Sequence, residues 1–419
     1  MIKKLEMHTD VLVLGSGPAG FAAAYSAAKN GAKVILVEQN GDVGGISTSG
    51  LMSHWTGSCG SPLYYEILKR TSEYNEGKFK NKITNLIDPE KLKTLYLEML
   101  CEVGCKVMLY TFAEDAICNG DKILGATVIN KSGKINIYAK ITIDATGDGD
   151  IAARVGAEFV LGRESDNKMQ PATLMFKVGG VDYDRAVFLG SFESNYETPK
   201  GELQALAKEN IPYPAGHILT YESTLPGVVT CNMTNAIDID GTNAEDLTKA
   251  TLICRRQMDD IVRYLREFVP GYENCYIISS ASLMGIRETR HFKGKYTLNE
   301  QDILEAKVFE DYVVKDAYFN FDVHNITGAG LDKTGVQKHF NQEKGYTIPY
   351  GCLLPETKEN LLLCGRNISG THIAHSNFRV MPICVGIGEA AGVAAYIAVI
   401  KNCNLSDIDA KEIREIIGI

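Results

Sequence analysis

The chain has 419 residues, of which 45% are hydrophobic and 23% are charged, and its net charge is −9. This length exceeds what one ordinary hydrophobic core organises, so two or more domains are expected. The acidic balance and the lack of a basic run exclude nucleic acid as an expected partner. The 11 cysteines form no CxxC pair, which argues against a disulfide framework, a zinc ribbon or an iron–sulfur cluster. No metal site is predicted.

Neither a secretory signal nor a membrane-spanning segment is predicted. Residues 1–10 are polar and mixed in charge, unlike a signal peptide. The most apolar stretch, Gly386–Ile400, is rich in Gly and Ala and includes Glu389, which favours a buried helix. We therefore expect a cytoplasmic protein that does not bind membranes.

The first predicted elements form a compact βαβ unit. Four consecutive apolar residues are the length of a buried parallel strand, and the Ala-rich stretch after the turn favours a helix. In chain order the unit consists of a strand at Val11–Leu14, a Gly15-Ser-Gly17-Pro-Ala-Gly20 turn, a helix at Phe21–Asn30 and a strand at Lys33–Val37.

The glycine spacing in this unit predicts a dinucleotide site. Gly15 makes the tight turn after the strand, Gly17 leaves room for a pyrophosphate, and Gly20 lets the helix pack closely on the strand. The pyrophosphate then lies on free N–H groups at the helix N-terminus. Glu38 lies 23 positions after Gly15 and is placed to accept hydrogen bonds from ribose hydroxyls.

The elements after this unit depart from a repeating βαβ pattern. A Gly-rich loop over Gly41–Gly60 centres on Gly44 and Gly45, and a later buried strand, Ile141–Ala145, leads into Thr146-Gly-Asp148. This layout suits a long cofactor that lies extended through the domain. Between the loop and that strand we predict a helix at Pro89–Val103, a strand at Lys106–Tyr110, and a hairpin of Ile123–Ile129 with Lys134–Tyr138.

A change of pattern near residue 161 predicts an inserted domain. Short strands and loops there surround one long helix, Ala244–Phe268, before a buried strand returns at Leu361–Cys364. A glycine turn at Gly365 follows, and then a helix over Pro382–Ile400. We predict an α/β, Rossmann-like domain in two parts, residues 1–160 and 347–419, with an inserted α+β substrate domain over residues 161–346.

Taken together, these motifs resemble the FAD-dependent oxidoreductases of the glutathione-reductase-like fold. Within them the chain is similar to a bacterial group that is distantly related to fumarate-reductase flavoproteins and to the flavin subunits of heterodisulfide reductases. The likeness covers nearly the whole chain, and its further motifs are Asp144-Ala-Thr-Gly147-Asp148, Gly285-Ile-Arg287-Glu-Thr-Arg290, Asp322-Val-His324, Ile348-Pro-Tyr350-Gly351 and Arg379-Val-Met-Pro382.

The resemblance implies a three-layer fold with one bound FAD. The residues that it implies as cofactor contacts are Gly15, Gly17, Pro18, Ala19, Gly20, Glu38, Gln39, Gly44, Gly45, Ala145, Gly147, Asp148, Gly365, Arg366, Met381 and Pro382.

Two positions of the C-terminal segment have particular expected roles. Many proteins of this fold carry an Asp after the C-terminal glycine, whereas this chain has Arg366, which we expect near the pyrophosphate. Pro382 is expected to begin a helix whose N-terminus faces the flavin and stabilises the negative charge of the reduced ring.

Four side chains are the predicted catalytic set. Hydride transfer at flavin N5 must be matched by a proton movement, and histidine is the side-chain type suited to this at neutral pH, which makes His324 and His372 candidates. Arg287 and Arg290 supply planar cationic groups for a carboxylate or enolate. We predict that the four converge beside the flavin around a small polar substrate that is anionic or carries a carbonyl. The alternative for each arginine is a salt bridge that holds the inserted domain.

Other functions remain open from the sequence. A non-catalytic binding protein on the same fold, like the escort proteins of small GTPases, is disfavoured by the intact dinucleotide motif. An electron-transfer subunit of a larger complex is disfavoured by the lack of cluster cysteines. No second GxGxxG motif is present, so a separate pyridine-nucleotide site is not expected. The sequence leaves open a homo-oligomer, the substrate and the direction of the reaction.

Overall fold

The computed structural model describes residues 4–332, 342 and 344–419. The N-terminal part alternates strands and helices before a three-stranded antiparallel excursion. Its helices and strands are β1 (Lys4–Leu14), α1 (Pro18–Lys29), β2 (Val34–Val37), α2 (Pro62–Ser72), α3 (Pro89–Glu102), β3 (Lys106–Met108), β4 (Phe112–Asn119), β5 (Lys122–Asn130), β6 (Gly133–Asp144) and α4 (Asp150–Arg154).

The middle of the chain builds a second hydrophobic core. Apart from Leu51, the buried members of this core lie between residues 172 and 281. The elements of this part are β7 (Phe159–Leu161), β8 (Phe176–Gly179), β9 (Glu197–Thr198), β10 (Gly201–Glu202), α5 (Leu203–Asn210), β11 (Thr220–Glu222), β12 (Val229–Cys231), α6 (Ala244–Phe268), β13 (Tyr276–Ser280) and β14 (Arg290–Phe292).

The last part of the chain returns to the first core. Val313, Val314, Tyr346 and Ile348 are buried there rather than in the second core, so the boundaries 161–346 stay a prediction for the inserted domain. The elements are α7 (Glu300–Leu304), β15 (Tyr312–Ala317), β16 (Tyr346–Pro349), β17 (Leu361–Leu363), α8 (His372–Phe378), α9 (Met381–Lys401) and α10 (Ala410–Ile417).

A parallel sheet organises the first core and positions the loops of interest. In the described chain its parallel strands run β3-β2-β1-β6-β17, and β5 and β4 continue as an antiparallel extension from β6. Leu14, Asp144 and Leu363 are in register at the ends of three neighbouring strands. Because the carboxyl ends of parallel strands share one edge, the turns after β1, β6 and β17 meet there.

The apolar alternation in β1 explains why the sheet has layers on both faces. Val11 and Val13 pack into the core shared with α1 and α9. Leu12 and Leu14 point to the opposite face and pack with the apolar side chains of β5 and β6. A strand buried on both sides reads as a continuous apolar run, which is the pattern that the sequence shows. The resulting three layers match the predicted α/β fold.

Close contact between α1 and α9 depends on glycine. A Cβ atom added at Gly388 would overlap the carbonyl oxygen of Ala19, and one at Gly392 would overlap that of Ala23. The two backbones therefore approach to a distance that no other residue permits. Helix α9 is long and apolar enough to cross a membrane by length and composition, but 83% of its most apolar stretch is buried in the protein.

The structure departs from the predicted elements at several places. Helix α1 begins at Pro18, not Phe21, because Pro18, Ala19 and Gly20 of the motif already form its first turn. Strand β6 is one strand of 12 residues, not a hairpin arm and a separate strand, since its first part pairs with β5 and with β1. Strand β4 was not predicted, because its mixed polar sequence lies largely exposed at the sheet edge. The predicted helix Ala244–Phe268 is confirmed as α6.

Candidate active site

A cavity of about 720 Å³ runs from the carboxyl edge of the parallel sheet to the second core. Its volume and mixed apolar and polar walls are those of a cofactor or substrate site. We call its two extremes the dinucleotide end, which includes Gly15, Gly17, Glu38, Asp148 and Arg366, and the arginine end, which includes Tyr221, Arg287, Asp322, His324 and Arg379.

The dinucleotide end begins at the glycine turn between β1 and α1. Gly15 has φ +90°, and a Cβ there would overlap the carbonyl oxygen of Ala145, so a glycine is required. An added Cβ at Gly17 meets nothing within 4 Å, because this position faces the cavity. Gly17 is also the N-cap of α1, and no side chain caps the helix. The N–H groups of the first turn are therefore available to an anion.

Glu38 closes this end of the cavity from the end of β2. Its Oε2 accepts hydrogen bonds from Ser16 N at 3.0 Å and Ser16 Oγ at 2.7 Å. Its Oε1 accepts from Asn40 N and Asn40 Nδ2, each at 2.8 Å. These four bonds match the acceptor capacity of a carboxylate. The predicted contact to ribose hydroxyls therefore requires a side-chain donor of Ser16 or Asn40 to give way.

Arg366 lines the dinucleotide end of the cavity together with the glycine turn. Its Nη2 donates to Asp148 Oδ1 at 3.0 Å, and Thr289 Oγ1 donates to the same oxygen at 2.7 Å. The other terminal nitrogen, Nη1, is buried without a partner. A buried cationic N–H without a partner at a cavity wall is suited to an anionic ligand. With the open position at Gly17, it makes this end fit a pyrophosphate.

Two arginines and one aspartate dominate the arginine end. Arg287 Nη1 donates to Pro171 O at 2.6 Å and Thr173 Oγ1 at 2.8 Å. Arg379 Nη2 donates to the carbonyl oxygen and to Oδ2 of Asp322, both at 2.9 Å, while its buried Nε has no partner in the part of the chain that the structure describes. The group thus holds two positive charges against one negative charge.

Ionisation at the arginine end follows from this arrangement. Burial lowers the pKa of Arg287 to about 10, and the like charge of Arg379 adds to the effect, yet the side chain remains protonated at neutral pH. Burial alone raises the pKa of Asp322, but His324 and the two arginines outweigh it and bring that pKa below its ordinary value. Asp322 is therefore ionised at every pH at which the protein works.

His324 lies beside Asp322 with a fixed orientation. Its Nε2 is 3.2 Å from Asp322 Oδ2, its backbone N–H donates to Gln170 Oε1 at 3.0 Å, and its ring packs edge-on to Phe192 at 5.4 Å. Burial lowers the pKa of His324 to about 4, and Arg287 adds to this while Asp322 opposes it. The imidazole is therefore neutral at pH 7, with Nε2–H donating to Asp322 and a lone pair on Nδ1.

Further polar groups complete the wall of the arginine end. Tyr221 stacks on His54 with ring centroids 4.8 Å apart, and Asn232 Oδ1 is buried without a partner. Behind them His217 Nε2 bonds Asn232 O at 3.0 Å, and its Nδ1 also lacks a partner. Buried polar atoms of this kind call for a partner that the described residues do not supply.

The structure brings only part of the predicted catalytic set together. Arg287 and His324 line the cavity, whereas Arg290 and His372 lie outside its wall. Arg290 Nη1 donates to Asp148 O and Asp150 Oδ1, each at 2.9 Å, which is the salt-bridge alternative. His372 Nδ1 is 2.5 Å from Glu288 Oε1 in a buried cluster. This geometry does not support the prediction that all four side chains converge at one face of the flavin.

Most predicted cofactor contacts line the cavity: Gly15, Gly17, Pro18, Ala19, Glu38, Gln39, Gly45, Ala145, Gly147, Asp148, Gly365, Arg366 and Met381. The other three predicted contacts, Gly20, Gly44 and Pro382, do not line the cavity. Gly20 packs on the backbone of Gly15, and the Gly44 N–H donates to Ser16 O at 2.8 Å. Pro382 is the second residue of α9, not the first, and its carbonyl oxygen accepts from Cys59 Sγ at 3.0 Å.

Several residues of the arginine end were not in the predicted set. Arg379 and Asp322 lay within motifs of the family resemblance, so the sequence carried a signal for them. Tyr221 and Asn232 come from β11 and the segment after β12, in the second core. No local pattern in the sequence marks these two, because only the packing of the two cores brings them to the cavity.

The fold and the cavity define a flavoprotein of the oxidoreductase class. The model of the FAD dependent oxidoreductase family matches residues 10–417, and the chain belongs to this family. Its cofactor is FAD, as predicted, and the residues at the dinucleotide end fit the pyrophosphate of that cofactor. The prediction of an FAD-binding α/β fold is confirmed.

Curated relatives match shorter segments. Digeranylgeranylglycerophospholipid reductase of Picrophilus torridus is 28% identical over 159 residues, which are 34% of this chain and 40% of the relative. Thiamine thiazole synthase of Methanococcus aeolicus is 30% identical over 163 residues, which are 35% of this chain and 58% of the relative. The chain spans about half the length of the curated relatives it matches.

Solved structures show the same fold at low identity. A geranylgeranyl bacteriochlorophyll reductase-like protein of Thermoplasma acidophilum has a TM-score of 0.52 at 15% identity and covers 98% of this chain and 83% of that chain. p-Nitrophenol 4-monooxygenase of Pseudomonas putida has a TM-score of 0.50 at 11% identity, with 97% and 83% covered. At these identities the likeness describes the fold alone.

Proposed function

We propose that this protein oxidises or reduces a small organic anion, most simply a carboxylate, by hydride transfer between a substrate carbon and FAD. The observation that carries the proposal is the pair Arg287 and Arg379, which line the same cavity with a single carboxylate, Asp322, between them. Within the described part of the chain, Asp322 pairs with Arg379, and Arg287 has no carboxylate within ion-pair distance. A substrate carboxylate is the group that supplies this counter-charge.

Substrate binding rests on hydrogen-bond donors that are already oriented. Arg287 is held by Pro171 and Thr173, and Arg379 by Asp322, so neither guanidinium has to be ordered on binding. The free Nε of Arg379 is the donor that the substrate satisfies. Pre-oriented donors bind an anion more tightly because little side-chain entropy is lost.

His324 is the proposed proton acceptor. In the free enzyme its imidazole is neutral and its Nδ1 carries a lone pair, as a general base needs. A substrate anion beside it raises its pKa, because a nearby opposite charge favours the protonated ring. Asp322 orients the imidazole through Nε2 and stabilises the positive charge that forms. FAD, when bound, supplies the hydride acceptor or donor.

The charged part of the wall supports a substrate with a polar group. A relative is named digeranylgeranylglycerophospholipid reductase, whereas Arg287, Asp322, His324 and Arg379 line this cavity together with apolar residues such as Leu219, Leu247 and Ile286. A hydrocarbon chain against the charged groups leaves their desolvation uncompensated, so a small polar substrate is the better fit there. The intact dinucleotide end supports an enzyme over a non-catalytic escort protein.

The test is flavin bleaching by matched pairs of compounds without oxygen. Each small hydroxy or amino acid is compared with its own amide, which has the same shape without the charge. We expect the acid of a reactive pair to bleach the flavin at least about 10²-fold faster at low concentration. Arg287→Gln abolishes that preference, whereas Arg256→Gln, an exposed change on α6, keeps it. Equal rates for acid and amide contradict the proposal.

A further inference from the structure

A buried cluster of one carboxylate and three imidazoles lies outside the cavity. Glu288 Oε1 is 2.7 Å from His291 Nε2 and 2.5 Å from His372 Nδ1, and Glu288 Oε2 accepts from Gln170 N at 3.0 Å. His375 completes the cluster, with its ring perpendicular to that of His291 at 4.7 Å. All four side chains are buried. Neither the cavity nor the proposed hydride chemistry uses them.

The hydrogen bonds inside the cluster leave several of its polar atoms unmatched. The Nδ1 atoms of His291 and His375 are buried and have no hydrogen-bond partner among the described residues. Ligand atoms of Glu288, His291 and His375 all lie within 4.8 Å of one another. A buried carboxylate lies here beside three imidazoles, two of which have unpaired nitrogens. The cluster therefore offers more lone pairs than its hydrogen bonds use.

The cluster comes from two short spacings in the chain. Glu288-x-x-His291 precedes and enters β14, and His372-x-x-His375 forms the start of α8. In a helix, positions three apart lie on the same face, so both imidazoles of α8 are directed to one side. A site built in this way joins two segments that are about 80 residues apart in sequence.

We propose that Glu288, His291 and His375 bind a divalent transition-metal ion of the zinc type. Imidazole nitrogen and carboxylate oxygen are the ligands that such borderline ions prefer. His372 donates to the ligating carboxylate and fixes its orientation, as does the Gln170 N–H. The cation also neutralises a carboxylate that is otherwise buried, which lowers the cost of its desolvation.

Metal binding requires the ligand side chains to move, because their ligand atoms lie up to 4.8 Å apart. Ligand atoms around tetrahedral zinc lie roughly 3.3 Å apart, given metal–ligand distances of about 2.0–2.1 Å. The present contact of Glu288 with His291 is a hydrogen bond of 2.7 Å. Replacing the shared proton by the ion therefore opens this pair by about half an ångström and releases that proton. Three protein ligands leave the fourth position of a tetrahedral ion to a water molecule, and their burial shields the site from bulk solvent.

Such an ion has a defined consequence for the fold. Glu288 is next to Arg287, and His375 lies one helical turn before Arg379. The ion therefore ties together the two segments that carry the cationic pair of the cavity. Metal loading is expected to stabilise the folded chain by linkage, since the unfolded chain does not assemble the site. This inference does not depend on the identity of the substrate.

The experiment uses the FAD-loaded protein, stripped with chelator and then dialysed against limiting zinc chloride. We expect one zinc ion per chain by mass spectrometry, a higher melting temperature, and an X-ray absorption spectrum with nitrogen and oxygen neighbours but no sulfur. Absence of sulfur separates this site from the free cysteines. His375→Gln and Glu288→Gln are expected to lose the zinc, whereas His8→Gln, an exposed change on β1, keeps it.

His372→Gln sharpens the assignment. Loss of a donor to a ligating group weakens metal affinity by about 10–100-fold without abolishing it. Far-UV circular dichroism and FAD content establish that each variant is folded; if Glu288→Gln is not, His375→Gln and the absorption spectrum decide. Zinc binding by the parent no greater than by folded His375→Gln, or sulfur neighbours in the spectrum, overturns the proposal.

Discussion

The two ends of the cavity are built from different parts of the polypeptide. At the dinucleotide end the backbone forms the site: Gly15 turns, Gly17 leaves space and the first turn of α1 offers its N–H groups. At the arginine end side chains form it, and Arg287 and Arg379 come from segments about 90 residues apart. A backbone site is encoded by local spacing, whereas a side-chain site is encoded by the packing of two cores.

The largest expected effect is at the backbone-built end. Gly17→Val places a branched side chain in the path of the pyrophosphate and is expected to abolish FAD binding, a loss of several kcal/mol. Because an added Cβ there meets no protein atom, the chain is expected to fold normally. The measurement is flavin absorbance of purified protein, with circular dichroism as the folding check. A yellow, fully loaded variant shows that the cofactor lies elsewhere.

The next effect separates two arginines three positions apart. Arg287→Gln is expected to lower substrate-driven flavin reduction by about 10²-fold with FAD retained, because a cationic contact in the cavity is lost. Arg290→Gln removes an ion pair with Asp150 outside the cavity, so reduction changes only a few-fold and stability falls by about 1 kcal/mol. Stopped-flow spectroscopy measures the rate of flavin reduction, and urea unfolding measures the stability of each variant. An equal loss of activity in both variants contradicts a purely structural role for Arg290 and indicates that it acts in catalysis.

Two carboxylates, the partly buried Asp322 and the buried Glu389, offer a pH test of the same contrast. Two arginines keep Asp322 ionised, but Glu389 in α9 has Ser61 as its hydrogen-bond partner, and burial raises the pKa of Glu389 to about 7. The folded state therefore binds an extra proton between about pH 4.5 and 7, and its stability falls as the pH rises through this window.

Glu389→Gln is expected to remove this decline. Relative to the parent, the variant gains stability as the pH rises from about 4.5 to 7, by up to about 3 kcal/mol. Urea unfolding at several pH values measures the difference, and Glu66→Gln, a change at a partly exposed neighbour, is the control. A difference between variant and parent that does not vary with pH contradicts the raised pKa.

The smallest effect concerns the support of one guanidinium. Thr173→Val removes the hydroxyl that accepts from Arg287 Nη1 and leaves the bond to Pro171 O. Loss of one such bond is worth about 1 kcal/mol, so substrate KM is expected to rise about fivefold while kcat changes little. Steady-state kinetics distinguishes this from a general loss of activity, which contradicts a positioning role.

The contrast also explains how much the sequence predicted. The βαβ unit, α6 and α9 followed from local spacing and apolar runs, and most predicted cofactor contacts line the cavity. The predicted catalytic residues Arg290 and His372 do not line it, because spacing does not reveal which side of a segment faces the cavity. Tyr221 and Asn232 were missed because β11 and β12 reach the cavity only through tertiary packing. The buried cluster around Glu288 was missed because its residues come from two segments that lie far apart in the sequence.

The central claim is that the arginine end binds an organic anion beside FAD. The most direct measurement is a titration of the oxidised holoprotein with small unreactive carboxylates, followed by the change in the flavin spectrum. We expect a saturable change that the matching amides do not produce and that Arg287→Gln and Arg379→Gln each weaken by at least about tenfold. A spectrum that no carboxylate perturbs, or equal binding by both variants and the parent, contradicts the account.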